Sequence, residues 1–248
     1  MIYPADRLAF ADAIRRVALE EELSPGFTVY SEKQIHKTVK LYREPDASRH
    51  EQTIDGGVAD ILNENGITEV QTAAFHPLLP KLKRWLPEHR VELVHPFPVR
   101  TVHKWLDPKT HELISPKREG PKRSLVSVAR NLYAIRELIG CENLTVTLLL
   151  MDIEEYRRLD GRGKDRKRGA TLIGKLPRSI EGELRLKEVE DYRFLLPFSR
   201  GEVFRMDEYL RAMGARSRFD RLAVKLLIHL GMVEEVGKEG RAILYMAK

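Results

Sequence analysis

Residues 56–72 read GGVADILNENGITEVQT, and their period of two makes them a β-hairpin. Two short strands, VADIL (58–62) and ITEVQT (67–72), flank Asn65-Gly66, the strongest short hairpin signal in the chain. With that dipeptide as the loop, Asp60 stands opposite Gln71 and Leu62 opposite Glu69. Side chains alternate along a strand and opposed residues share a face, so Asp60, Glu69 and Gln71 project from one side. Ala59, Ile61 and Val70 take the other side, which reads as a core face. Any loop of even length keeps this parity. The two carboxylates then lie roughly 5–8 Å apart.

Outward from the hairpin, Gly56-Gly57 reads as a turn and RHEQTID (49–55) as a preceding strand. Upstream, Ser31 has the character of an N-cap with Gln34 in the capping-box position, opening a helix that runs to about Leu41. Residues 5–23 place Phe10, Ala13, Ile14, Val17 and Ala18 at helical spacing, and Pro25-Gly26 stops that helix. Downstream, a helix is expected over 77–87 and a strand over 91–95, closed by Pro96. This connection is long enough for a right-handed crossover that returns a parallel strand beside the third. TVHKWLD (101–107), a helix at 124–139 and a strand at 144–151 complete an α/β core.

Residues 152–200 are Gly- and Pro-punctuated and strongly basic, and they are expected to be a connector with little core of its own. Helical spacing resumes at 206–213. Ser217 caps a helix over 218–230 that ends at Gly231, and the strands MVEEV and AILYM flank a turn at 237–240. Helix, helix and hairpin in that order outline a winged-helix module. Four segments result: an N-terminal helix (1–27), an α/β domain (28–151), the basic connector (152–200) and the winged-helix-like domain (201–248).

Composition excludes several classes. The 248 residues carry 43 Lys and Arg against 37 Asp and Glu, a net charge of +6, with 42% hydrophobic residues for a core. The longest apolar run, LTVTLLLM (144–151), is strand-sized rather than membrane-sized. The N-terminal residues lack the apolar centre of a signal peptide. The single cysteine, Cys141, rules out a disulfide framework and a cysteine-based zinc site, and it fits a reducing, cytoplasmic compartment. No P-loop, GxGxxG, GxSxG or HExxH motif is present.

Two carboxylates on neighbouring strands suit one hard cation. Mg²⁺ or Mn²⁺ held there keeps several waters, lowers the pKa of one and neutralises charge developing on a phosphate. A polar group two residues further along the strand can orient the attacking water. The hairpin and its flanking elements resemble the metal-binding core of the PD-(D/E)xK nuclease superfamily, the restriction-endonuclease-like fold. That resemblance covers roughly 65 residues. It implies that Asp60 is the first acid, that Glu69 is the second and that Gln71 stands where a lysine is expected. It also implies a helix acid upstream, for which Glu32 is the candidate metal ligand. Gln71 is neutral and cannot stabilise an anion as an ammonium would, so Lys37, Lys40 or Lys81 would supply that charge. His36 and the other histidines show no ligand spacing and are expected at the surface or behind the ligands. Read without the resemblance, the same hairpin side is an ordinary solvated face.

Basic surfaces complete the reading. At about 100° per residue, Arg218, Arg221, Lys225 and His229 form one narrow stripe on the 218–230 helix. Phe219, Leu222, Ala223, Leu226, Leu227 and Leu230 face the core. Such a helix suits groove or phosphate docking, with Lys238 and Arg241 of the wing on the backbone. Residues 157–168 hold seven bases against two acids, and Arg162, Lys164, Arg166, Lys167 and Arg168 are candidate phosphate contacts. The expected function is a Mg²⁺-dependent DNA endonuclease acting on duplex or branched DNA. A homodimer is a candidate assembly, since enzymes cutting both strands are often dimers. The alternative is a non-catalytic DNA-binding regulator or assembly protein with a degenerate nuclease domain.

Overall fold

The computed structural model describes residues 3–22, 33–110, 112–161, 169–215 and 217–248. The chain is a mixed α/β protein: a seven-stranded sheet and a three-stranded sheet, each accompanied by helices. It packs as two compact units. The first is residues 1–72, 92–122 and 147–184; the second is 73–91, 123–146 and 185–248.

The first unit opens with α1 (Pro4–Glu22) and α2 (Lys33–Arg43). Phe10, Ala13 and Val17 of α1 are buried, as their spacing requires. The large sheet runs β1 (His50–Ile54), β2 (Gly57–Asn63), β3 (Gly66–Val70), β4 (Val91–Leu106), β6 (Leu144–Arg158) and β7 (Thr171–Leu186), with β5 (Leu113–Glu119) paired to β4. β1, β2 and β3 form an antiparallel meander. The side chains of Glu92 and Thr147 meet near the start of β4 and β6, Arg100 reaches Asp152 further on, and Leu159 donates to the Leu106 carbonyl at the far end. Contacts that advance together mean that β4 and β6 run parallel. β6 folds back on β7, where Thr171 bonds Asp160 and Gly182 lies against Leu150. Phe10, Ile35 and Val39 pack with Val70, Val94, Leu149, Met151, Ile153 and Ile180 in one core cluster.

Three expectations about this unit are corrected. The β1–β2 turn is Asp55-Gly56, not Gly56-Gly57, and both residues are left-handed (φ 47° and 68°), the type I′ geometry that matches strand twist. The β2–β3 loop centres on Glu64-Asn65. The Asn63 side chain accepts the Asn65 amide at 3.0 Å and starts the turn one residue early, while Gly66 takes the positive φ of 113°. Finally, Pro96 does not end a strand: β4 runs on to Leu106 and absorbs TVHKWL (101–106). Val94 gives its carbonyl to the Gln71 amide, and the pleat turns Pro96 to that same side, just where β3 has ended.

The segment 152–200 is not a bare connector. It carries the second half of β6 and all of β7, with Ile153, Tyr156, Ile180 and Leu186 buried. Gly174, Pro177 and Gly182 lie within β7, so they punctuate a long strand rather than replace it.

The second unit holds α3 (Leu79–Trp85), α4 (Ala129–Ala134), α5 (Met206–Ala212), α6 (Leu222–His229) and a three-stranded sheet. That sheet is β8 (Val203–Arg205), β9 (Val233–Glu239) and β10 (Ala242–Ala247) in the order β8-β10-β9. The Ser217 hydroxyl accepts the Phe219 amide and the Asp220 carboxylate accepts the Ser217 amide, so the expected cap is present. Phe204, Tyr209, Val224, Leu227 and Tyr245 are buried here, and the Tyr209 hydroxyl donates to the Leu195 carbonyl at 2.8 Å.

Candidate functional site

Asp60 sits on the central strand of the meander. In the β1–β2 register His50 pairs with Ile61 and Gln52 with Ala59, which leaves Glu51 facing Asp60. In the β2–β3 register Ile61 pairs with Thr68, so one pair further Asp60 faces Glu69 rather than Gln71. The parity expected from the sequence is retained, because both loops are of even length. Asp60, Glu69 and Gln71 share a side, and the register slides by two residues. The ladder loosens at this level: Val70 donates its amide to the Asp60 carboxylate at 2.8 Å. Glu51 adopts φ 52°, a left-handed conformation that costs a non-glycine residue about 1–3 kcal/mol and that clusters at functional positions.

α2 supplies the partners of these acids. His36 Nε2 lies 3.1 Å from Asp60 Oδ2, and four residues on, one helical turn away, the buried Lys40 ammonium pairs with Glu51. Burial alone would raise the Asp60 carboxyl pKa. The His36 contact, the Val70 amide and the Lys40 charge outweigh it and hold the group below the ordinary carboxylate range, so it is ionised at neutral pH. Its side chain remains 13% exposed, open enough to meet solvent or a ligand. Glu69 is 5% exposed. Gln71 donates its amide to the Val94 carbonyl, and its own carbonyl lies 2.6 Å from Nδ1 of the buried His95.

Two ionisable carboxylates on adjacent strands, one of them held charged, suit a hard oxygen-seeking cation that retains water. Among the described residues, no group of three or more His, Cys, Asp or Glu is placed to hold a metal ion. Glu51 belongs to the row of acids by register, but its carboxylate is turned to Lys40. Glu32 lies outside the described residues. Lys37 is exposed on α2, and Lys81, in the second unit, stands over the Trp85 ring at 5.3 Å. The Lys40 charge reaches Asp60 and helps hold its pKa down. The sequence reading missed Glu51 altogether, since a positive φ at a glutamate leaves no trace in composition. His36, expected at the surface or behind the ligands, and Lys40, a candidate cation, stand one helical turn apart and both bear on Asp60.

On α6 and the turn before it, Arg218, Arg221, Lys225 and His229 are exposed, and Ala223, Val224, Leu226 and Leu227 are buried, so the stripe stands clear of the core. Lys238, near the end of β9, and Arg241, in the β9–β10 turn, are exposed. Arg162, Lys164, Arg166, Lys167 and Arg168 lie outside the described residues.

The first unit is thus a mixed-sheet α/β module with an ionised acid at its meander. Residues 33–187 match the family described as a domain of unknown function, DUF8091, and the chain belongs to that family. The match spans every strand of the large sheet together with α2, and it ends before the three-stranded sheet begins. The chain is also similar to an uncharacterized protein of Treponema pallidum (strain Nichols), 26% identical over 214 residues, covering 85% of this chain and 83% of that protein. No solved structure matches it. Among the described residues no helix is long and apolar enough to cross a membrane.

Proposed function

We propose that the protein is a cytoplasmic, metal-dependent DNA endonuclease. In this reading the large sheet is a restriction-endonuclease-like core and the second unit carries a winged helix. The observation that carries it is the placement of Asp60 and Glu69 side by side on β2 and β3, with Asp60 kept ionised by His36, Val70 and Lys40. Mg²⁺ or Mn²⁺ bound there would supply a water of lowered pKa and neutralise charge on the phosphate. Asp60 and Glu69 would hold the ion, with Glu32 as a further ligand, and Gln71 would orient the attacking water. Lys40 brings positive charge to the acids in place of the lysine that Gln71 replaces. The order helix, helix, hairpin in residues 206–247, with an exposed basic stripe, supports the winged-helix reading and duplex or branched DNA as substrate.

The test is cleavage of supercoiled plasmid and of a single-stranded circle with Mg²⁺, Mn²⁺ or EDTA, using wild type, Asp60→Ala and Glu69→Ala. Metal-dependent nicking abolished by both substitutions is expected. Equal background from three folded proteins would defeat the nuclease reading. A second reading, a DNA-binding regulator or assembly protein with a degenerate site, is favoured by the neutral Gln71. It predicts that Asp60→Ala leaves DNA binding intact, whereas Arg221→Ala or Lys225→Ala weakens it. Gel filtration with light scattering distinguishes a homodimer from a monomer.

A further inference from the structure

Phe219 is a large apolar side chain left 38% exposed at the start of the basic helix. Its ring is attended by two guanidiniums: Arg218 from the same turn, 4.9 Å from the ring centroid, and Arg130 from α4 at 4.4 Å. Arg130 and Arg218 are themselves exposed, and among the described residues neither has an acidic partner. The nearest acid in sequence, Asp220, is 4% exposed and turned inward to accept the Ser217 amide. An arginine over an aromatic face keeps its N–H edge free while the ring restricts its motion. Two guanidiniums organised this way and left without carboxylates are shaped to receive anionic oxygens bidentately.

We propose that Arg130, Phe219 and Arg218 form a phosphate clamp that extends the DNA-binding face from α6 onto α4. This rests on the DNA-binding reading given above and adds to it a second helix and an aromatic support that the winged-helix reading does not require. Arg221 and Lys225 follow Arg218 at intervals of about one helical turn, roughly 5.4 Å. Cations at regular spacing fit a polymer of evenly spaced anions rather than one small anion. The backbone of duplex DNA is therefore the occupant, and the clamp grips it irrespective of base sequence.

The experiment measures the affinity of a 20-base-pair duplex across a salt series for wild type, Arg130→Ala, Phe219→Leu and, as a control, Arg193→Ala, whose side chain already pairs with Glu190. Each phosphate contact contributes about −0.9 to the slope of log K against log salt, or about eightfold in affinity at 0.1 M. Arg130→Ala should lower the slope magnitude by about one and weaken binding about eightfold on two unrelated sequences alike. Phe219→Leu, which keeps apolar bulk and loses the ring, should weaken binding in the same direction, and Arg193→Ala should match wild type. Wild-type binding with Arg130→Ala indistinguishable from it would overturn the clamp and leave the α6 reading standing. Absence of salt-dependent binding by wild type would overturn both. A loss confined to one DNA sequence would mean base contact and refute a backbone clamp.

Discussion

Asp60→Asn is the sharpest test of how the meander is held. The variant keeps an oxygen that can accept the Val70 amide and removes the charge that His36 and Lys40 surround. Hydrogen bonds to a charged group contribute about 1.5–3 kcal/mol and neutral ones about 0.5–1.5 kcal/mol. Weakening two of them, partly offset by no longer desolvating a charge, should cost about 1–2 kcal/mol at pH 7. For a chain of this length that is a fall in Tm of about 2–8 °C. The cost should depend on pH. A carboxyl whose folded pKa lies below its unfolded value, about 3.9, stabilises the fold above that value. The contribution is lost as pH falls through the folded pKa. Wild type and Asp60→Asn should therefore differ steadily above about pH 5 and converge below about pH 4. Thermal melts by circular dichroism from pH 3 to pH 8 would show it. A variant as stable as wild type at pH 7, or a gap that persists unchanged to pH 3, would refute the arrangement of charges described for α2 and β2.

Two further outcomes follow from packing. Phe10→Ala, in the cluster joining α1 to Val70, Val94 and Leu149, should destabilise by about 3–5 kcal/mol in urea titrations; a loss under 1 kcal/mol would show that α1 is not part of the core. Tyr209→Phe leaves the Leu195 carbonyl without its buried donor and should cost about 1–3 kcal/mol. Burial raises the Tyr209 pKa well above its ordinary value, so wild type should lose stability as pH rises beyond about 10, and the variant should lose less.

The parts of the fold legible in the sequence were those set by local periodicity. Phe10, Ala13 and Val17 announce α1, Ser217 announces its cap, and the alternation of 58–62 and 67–72 announces a hairpin with two acids on one side. That last inference survived a misplaced loop because side-chain parity depends only on whether the loop is even. The exact partner of Asp60 was not legible, since it turned on one Asn63–Asn65 hydrogen bond and the conformation of Gly66. Nor was the length of β4, because whether a proline ends a strand depends on which neighbour its missing amide would have faced. The Lys40–Glu51 pair joins a helix to a strand across a left-handed residue, a three-dimensional fact with no counterpart in spacing.

The chain passes five times between its two units, each of which is assembled from three separate segments. Neither unit can be complete until most of the polypeptide has left the ribosome, so folding should be slow and late rather than sequential from the N-terminus. A truncation at residue 151 would also cut β6 midway and remove β7 from the large sheet. Removing the basic helix in that way would expose sheet edge and core together, so its role can be separated from that of the acids only by single substitutions in the intact chain.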